Sequence, residues 1–265
     1  MTFRNFYIKF YYQIATPVLL FNKQSSNQLP KNKKHLFVYF DYEREFSGNN
    51  YHISDEQLDQ LLLVLKEADL KATWFTLGKV IEKYPESIKK ILYQEHELGS
   101  HNFNHFSPLF SSRKSLINDL INFNRLIDKK YEVKGFHSPQ GLWSFTLLNL
   151  LKKHHFLYDV GTAKNSKYYT VNYISKSKRN HFYRLITLGD DWPLFLNSND
   201  PAKALDYFKS LLNKMPYGAI AGIGFHPWIL FSHKTIWKGF VDFISYLKDN
   251  ETYSINPAIQ YIPKI

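Results

Sequence analysis

The 265-residue sequence contains no cysteine. Disulfides, thiolate metal sites and cysteine nucleophiles are therefore excluded. The redox compartment stays open, because a chain without thiols persists in either. Acids are scarce: 23 Asp plus Glu face 34 Lys plus Arg, a formal net charge of +11. Such an excess favours anionic partners such as phosphate-bearing glycans, anionic lipid surfaces or nucleic acid. No recognised nucleic-acid motif accompanies it, so a nucleic-acid partner is not expected. The basic stretch "KSKRN" at 176–180 reads most simply as a solvated loop. Long apolar runs are missing as well. The opening "MTFRNFYIKFYYQIATPVLLF" is broken by Lys9, Gln13 and Pro17, short of the ~20 apolar residues that span a bilayer. No small-residue cleavage site of the secretory kind follows it. Residues 1–32 are expected to be an accessory segment and linker, packed on the domain or lying at a membrane surface. Polar "NKQSSNQLPKNKK" at 22–34 supplies the linker. A cytoplasmic location with peripheral membrane association is the expectation; oligomeric state is left open.

What is abundant is aromatic: 22 Phe, 19 Tyr and 5 Trp make up 17% of the chain. Most should form core, with a minority near a cleft suited to stacking on sugar rings. Residues 33–265 are long enough to bury one full domain.

Strand and helix signals alternate through that domain. "HLFVYF" (35–40) is a continuous apolar run typical of a strand buried on both faces. "SDEQLDQLLLVLKEADL" (54–70) opens a helix with Ser54 and Gln57 as a capping box. Strands follow at 71–77, at "ELGS", and at 133–138, 156–161, 182–187 and 218–226. Helices are predicted at 87–98, 113–131, 145–155, 201–215 and 235–249. Such alternation argues for parallel strands with crossover helices, in an open doubly wound sheet or a closed barrel. Either way, ligands bind where the strands end.

The strand ends carry a consistent chemistry. Asp41 and Glu43 follow the first strand, His101 and His105 follow "ELGS", His137 follows "VKGF", and His226 follows "AIAGIGF". Individually each has a bland explanation. A post-strand Asp often caps a turn, and His226 before Pro227 could be a packed core histidine. The four-residue spacing of His101 and His105 would align both rings on one helical turn, a pattern common on exposed helices. Together, two imidazoles and a carboxylate suit a three-ligand zinc site with an open position. A second carboxylate and a further histidine remain for proton transfer.

In order and content these motifs resemble the polysaccharide deacetylase family, the NodB-homology domain or carbohydrate esterase family four, over about residues 33–230. "VYFDYE" is similar to the first motif, and "KATWFTLGKVIEKYPESIKKILYQEHELGSHNFNHFS" to the second region. "GFHSPQG" stands at the Arg-x-Pro motif and "GFHPW" at the final Leu-x-His-Pro motif. The resemblance implies an irregular (β/α) barrel of about seven parallel strands. It implies a metal-dependent hydrolase that removes an N-acetyl group from an amino sugar in a polysaccharide or glycan precursor. Asp41 would be the base and His226 the acid, with Asp191 orienting His226. His101, His105 and Glu43 would bind Zn2+ or another divalent ion such as Co2+, Ni2+ or Mn2+. Residues two apart on an extended segment face one side, which aims Asp41 and Glu43 together and Tyr42 away. His137 replaces the arginine that normally holds the base, and imidazole offers fewer donors. Trp143, Trp192 and Trp228 are candidates for sugar stacking, and Tyr42 and Pro139 complete the expected substrate set. The substrate class implied is an N-acetylated glycan, or a lipid-linked or nucleotide-linked sugar. Two other readings fit the same residues: a catalytically impaired glycan-binding homologue, and a deacylase of an O-acetyl ester or non-sugar amide.

Overall fold

A computed structural model describes residues 3–20, 29–128, 130–162, 172–176, 181–197 and 200–263. The strands are β1 (Lys34–Tyr42), β2 (Thr73–Thr76), β3 (Glu97–Ser100), β4 (Gly135–His137), β5 (Tyr158–Gly161), β6 (Asn172–Lys176), β7 (His181–Ile186), β8 (Ile220–Phe225) and β9 (Tyr253–Ile255). The helices are α1 (Phe3–Leu20), α2 (Asp55–Glu67), α3 (Gly78–Lys83), α4 (Pro85–Tyr93), α5 (Arg113–Ile127), α6 (Phe145–Lys153), α7 (Trp192–Asn197), α8 (Pro201–Asn213), α9 (Pro227–Ser232) and α10 (Lys234–Lys248).

Seven parallel strands run in the order β7-β5-β4-β3-β2-β1-β8. Thr187, just past β7, bridges in parallel to Gly222 of β8, and Leu188 donates its N–H to the Gly222 carbonyl at 2.8 Å. The two ends of the sheet thus meet in a nearly closed barrel. β6 adds antiparallel to β7, and β9 pairs with the start of β1.

Strand alternation divides the core. On β1, Leu36, Val38, Phe40 and Tyr42 join the layer packed under the helices, while Phe37 and Tyr39 fill the barrel interior with Phe75, Tyr158 and Tyr183. The period of two therefore directs Asp41 to the interior side at the barrel's carboxyl end. Tyr42, expected near substrate, instead has no exposed surface, and its hydroxyl accepts a hydrogen bond from Arg44 Nε at 2.7 Å.

Ser54 caps α2 with the predicted reciprocal pair: Gln57 N–H to Ser54 Oγ at 3.2 Å, Ser54 N–H to Gln57 Oε1 at 2.9 Å. Several predicted helices end early. The chain turns at Asp69 (φ 50°), Glu95 (φ 61°) and His155 (φ 66°), left-handed positions that stop α2, α4 and α6. Of the expected linker, 22–28 lies outside the described residues, as does 177–180 of the basic stretch, while Lys176 ends β6.

α1 packs on the barrel. Tyr12 Oη donates to the Trp143 carbonyl at 3.0 Å and accepts from the Trp143 N–H at 2.7 Å. Arg4 donates to Gln140 Oε1 at 2.7 Å. Among the described residues, no helix is long and apolar enough to cross a membrane.

Candidate metal centre and active site

A cavity of about 620 Å³ opens at the carboxyl ends of the strands, lined by Asp41, Glu43, His105, His137, Trp192, His226 and Trp228, among others. Each strand end delivers its residue differently. β1 carries Asp41 on its inward face, and Glu43 follows two residues later. His101 leaves β3, and the chain then takes a left-handed step at Asn102 (φ 71°). His101 and His105 are therefore brought together by a loop, which corrects the expectation of a shared helical turn. That loop is anchored by buried Asp119 of α5, which accepts from Phe103 N–H at 2.7 Å, Asn104 N–H at 2.9 Å and Asn104 Nδ2 at 2.8 Å. It docks on the start of α3, where Gly78 donates to the Asn102 carbonyl at 2.9 Å. A Cβ on Gly78 would lie 2.4 Å from the Phe103 ring, so this approach requires glycine.

Two neighbouring clusters result. In the first, Glu43 Oε1 lies 2.8 Å from His105 Nε2 and 3.3 Å from His101 Nε2. His101 Nδ1 is 2.8 Å from the His137 carbonyl, which can only accept, so Nδ1 carries the proton and Nε2 presents its lone pair. That buried Nε2 has no hydrogen-bond partner among the described residues. A lone pair facing a carboxylate oxygen is repulsive unless a cation lies between them. The Glu43–His101–His105 donor atoms all lie within 4.8 Å of one another. Mixed imidazole and carboxylate donors at this spacing fit a divalent ion. Asp41, His101 and His137 form a second grouping of the same size. It is the poorer fit, because His101 Nδ1 serves the carbonyl and His137 Nδ1 serves Asp41. The other Glu43 oxygen accepts from Trp228 Nε1 at 2.9 Å, which fixes the carboxylate's orientation.

In the second cluster, His137 Nδ1 lies 2.8 and 3.0 Å from the two Asp41 oxygens. His226 stands on the other flank, its Nε2 3.6 Å from Asp41 Oδ2. Asp191 grips His226 twice, accepting from ring Nδ1 at 2.7 Å and from the backbone N–H at 2.9 Å.

Electrostatics follow from this crowding. Burial alone would raise Asp41, but the imidazoles of His101, His137 and His226 outweigh it and hold the carboxyl below its ordinary value. Glu43 is buried too, and His105 and His226 beside it hold it well below the usual range. Burial opposes charge on His226, yet Asp191, then Glu43 and Asp41, hold it well above an ordinary histidine. Asp191 is pushed up to about 6 by burial, against the pull of His226.

The aromatic candidates separate. Trp192 is 41% exposed, lines the cavity and stands edge-on to His226, ring centres 6.4 Å apart. Trp228 lines it while nearly buried, held by Glu43. Trp143 does not line the cavity: it is 2% exposed, packed against Tyr12 and against the Arg184 guanidinium, which lies 4.6 Å from its ring centre. Pro139 is buried in a 3-10 turn, and its neighbours Gln140, Gly141 and Leu142 line the wall instead. Sequence reasoning missed Arg4, Asn5 and Ile8 of α1, which line the same cavity. It also missed Asp119 and the Trp228–Glu43 bond, which no spacing in the chain signals.

Fold and pocket together define a nearly closed parallel (β/α) barrel whose strand ends gather carboxylates and imidazoles. Residues 28–158, just under half of the chain, match the model of the polysaccharide deacetylase family. A peptidoglycan deacetylase of Helicobacter pylori is 33% identical over 111 residues, 41% of this chain and 38% of the relative. A chitooligosaccharide deacetylase of Sinorhizobium fredii is 28% identical over 104 residues, 38% of this chain and 46% of the relative. The chain thus covers less than half the length of these curated relatives. A Mycobacterium smegmatis structure described as a polysaccharide deacetylase superposes with a TM-score of 0.75 at 18% identity, covering 91% of this chain and 93% of its own. That likeness is one of fold.

Proposed function

We propose that the protein is a metal-dependent hydrolase that removes an N-acetyl group from an amino sugar of a glycan or glycan precursor. The observation that carries the reading is the opposition of Asp41 and His226, 3.6 Å apart, beside the Glu43–His101–His105 cluster. Glu43, His101 Nε2 and His105 Nε2 would hold a divalent cation, and its nitrogen and oxygen donors favour zinc among the common ions. Such a cation supplies Lewis acidity that makes an acetyl carbonyl easier to attack.

The chain's own residues then divide the proton work. Asp41, kept ionised by the surrounding imidazoles, takes a proton from the attacking water as its oxygen bonds to the acetyl carbon. His137 steadies that carboxylate through Nδ1, in the place where the family's arginine would stand. His226 Nδ1 is committed to Asp191, so the proton it can give is on Nε2, the nitrogen facing Asp41. It passes to the sugar nitrogen as the C–N bond breaks, leaving acetate and a free amine. An amide nitrogen is a poor leaving group without that proton, whereas an ester oxygen needs it far less. A histidine held protonated by a buried aspartate therefore favours amide over ester. Trp192, half-open beside His226, supplies an apolar face for a sugar ring. The relatives' names, which specify peptidoglycan and chitooligosaccharides, support an N-acetylated glycan as the substrate class.

Acetate release from N-acetylglucosamine oligomers, measured with zinc content, tests the reading. Asp41→Asn should abolish release and keep the metal; His101→Ala should lose the metal. Full turnover by Asp41→Asn, or stoichiometric zinc in His101→Ala, would remove the respective assignment.

A further inference from the structure

The two sides of α1 are unequal in a way the reaction does not explain. One side forms part of the cleft wall through Arg4, Asn5 and Ile8 and packs on the barrel through Tyr12 and Ala15, which is 3% exposed. The other side is apolar and open. Phe3 is 84% exposed, Phe6 55%, Phe10 53% and Ile14 58%. These positions recur at three- and four-residue steps, so they form one stripe along the helix. Phe6 and Phe10 stack with ring centres 6.3 Å apart. Tyr7 extends the stripe to Phe110, 6.0 Å away, on the loop that follows His105. The apolar surface therefore extends from α1 onto that loop. An exposed apolar stripe of this kind marks a contact surface.

Charge indicates what covers it. Helix α1 holds Arg4 and Lys9 and no Asp or Glu. Residues 101–118, which carry Phe110, hold Arg113 and Lys114 and again no acid. An apolar stripe in basic surroundings matches an anionic lipid surface, where aromatic rings enter the acyl boundary and cations meet the headgroups. We propose that the exposed face of α1, with Phe110, seats the protein on an anionic bilayer, beside the cavity wall that the same helix forms. The helix lies on the surface and does not cross it, consistent with its hydropathy. This inference stands apart from the proposed reaction: a chain that binds vesicles but releases no acetate would keep the one and lose the other.

Co-sedimentation of the full chain with vesicles tests it. Phosphatidylcholine vesicles containing phosphatidylglycerol should retain the protein, and vesicles of phosphatidylcholine alone should retain little. The Phe6→Ser, Phe10→Ser double variant should bind about tenfold more weakly or less, with an unchanged melting temperature. Phe3→Ser, at the most exposed position, gives a second variant least able to disturb folding, and it should weaken binding in the same direction. Equal binding to both vesicle types, no binding to either, or undiminished binding by both variants would overturn the proposal. So would a dimer in solution that the double variant dissociates, because a second copy would then be the cover.

Discussion

Two buried aspartates in this barrel have nearly the same titration and different partners. Asp191 lies buried behind His226, clamped to it; Asp159 of β5 lies on the outer face of the sheet, with its oxygen 3.1 Å from Arg184 of β7. Burial pushes each to about 6, against the pull of its cation. The partners decide what each pair can do. A guanidinium does not release its proton in a protein, and Arg184 is 1% exposed beneath Trp143 and α1. An imidazole can release one, and the His226 side chain is 14% exposed towards the cavity. Equal burial and equal carboxylates thus yield one pair suited to proton transfer and one confined to holding layers together.

The largest expected effects fall on the cations. His226→Ala should cut kcat roughly 100- to 10,000-fold, with melting temperature and metal content near wild type. Arg184→Met should do the reverse, costing about 3–5 kcal/mol of stability because a buried carboxylate loses its partner. Urea titration with acetate release on the folded fraction would show both, and an exchange of the two phenotypes would break the comparison.

A smaller effect sharpens it. Asp191→Asn removes the main influence that raises His226, so the alkaline fall in kcat should move to lower pH. Asp159→Asn should leave that limb in place, and a common shift would mean that the pairs are not separate. Smallest is the pH dependence of the Arg184→Met penalty. Without the guanidinium, burial raises Asp159 further above its unfolded value. The group then stabilises the fold only below its unfolded pKa, and that contribution is lost as pH rises through the folded one. The variant's deficit should therefore be larger at pH 8 than at pH 5, and a flat deficit would place the cost in packing alone.

Much of this architecture was legible because each strand is a compact apolar run followed by its chemical residue. "HLFVYF" before Asp41 and "GAIAGIGF" before His226 are examples. What was not legible has physical reasons. Helix ends are usually marked by glycine at the left-handed position, but here Asp69, Glu95 and His155 take it, so three helices read too long. Three-residue β9 is too short to show alternation. The spacing of His101 and His105 suggested a helical turn, although a loop tied down by Asp119 produces the pairing. The cleft wall contributed by α1 depends on contacts with residues far along the chain, Arg4 with Gln140 and Tyr12 with Trp143, which local pattern does not encode. Trp143 and Trp228 look alike in sequence, yet one shields Arg184 and the other grips Glu43, contacts that span long stretches of chain.

The bond from Trp228 to Glu43 gives the protein an optical gauge of its own. Its indole N–H rests on the carboxylate oxygen that does not face His101 and His105. Any cation that draws charge from that carboxylate changes the field across the ring. Emission from Trp228 should therefore follow ion loading and chelation in real time, in the wild type and in variants that cleave nothing.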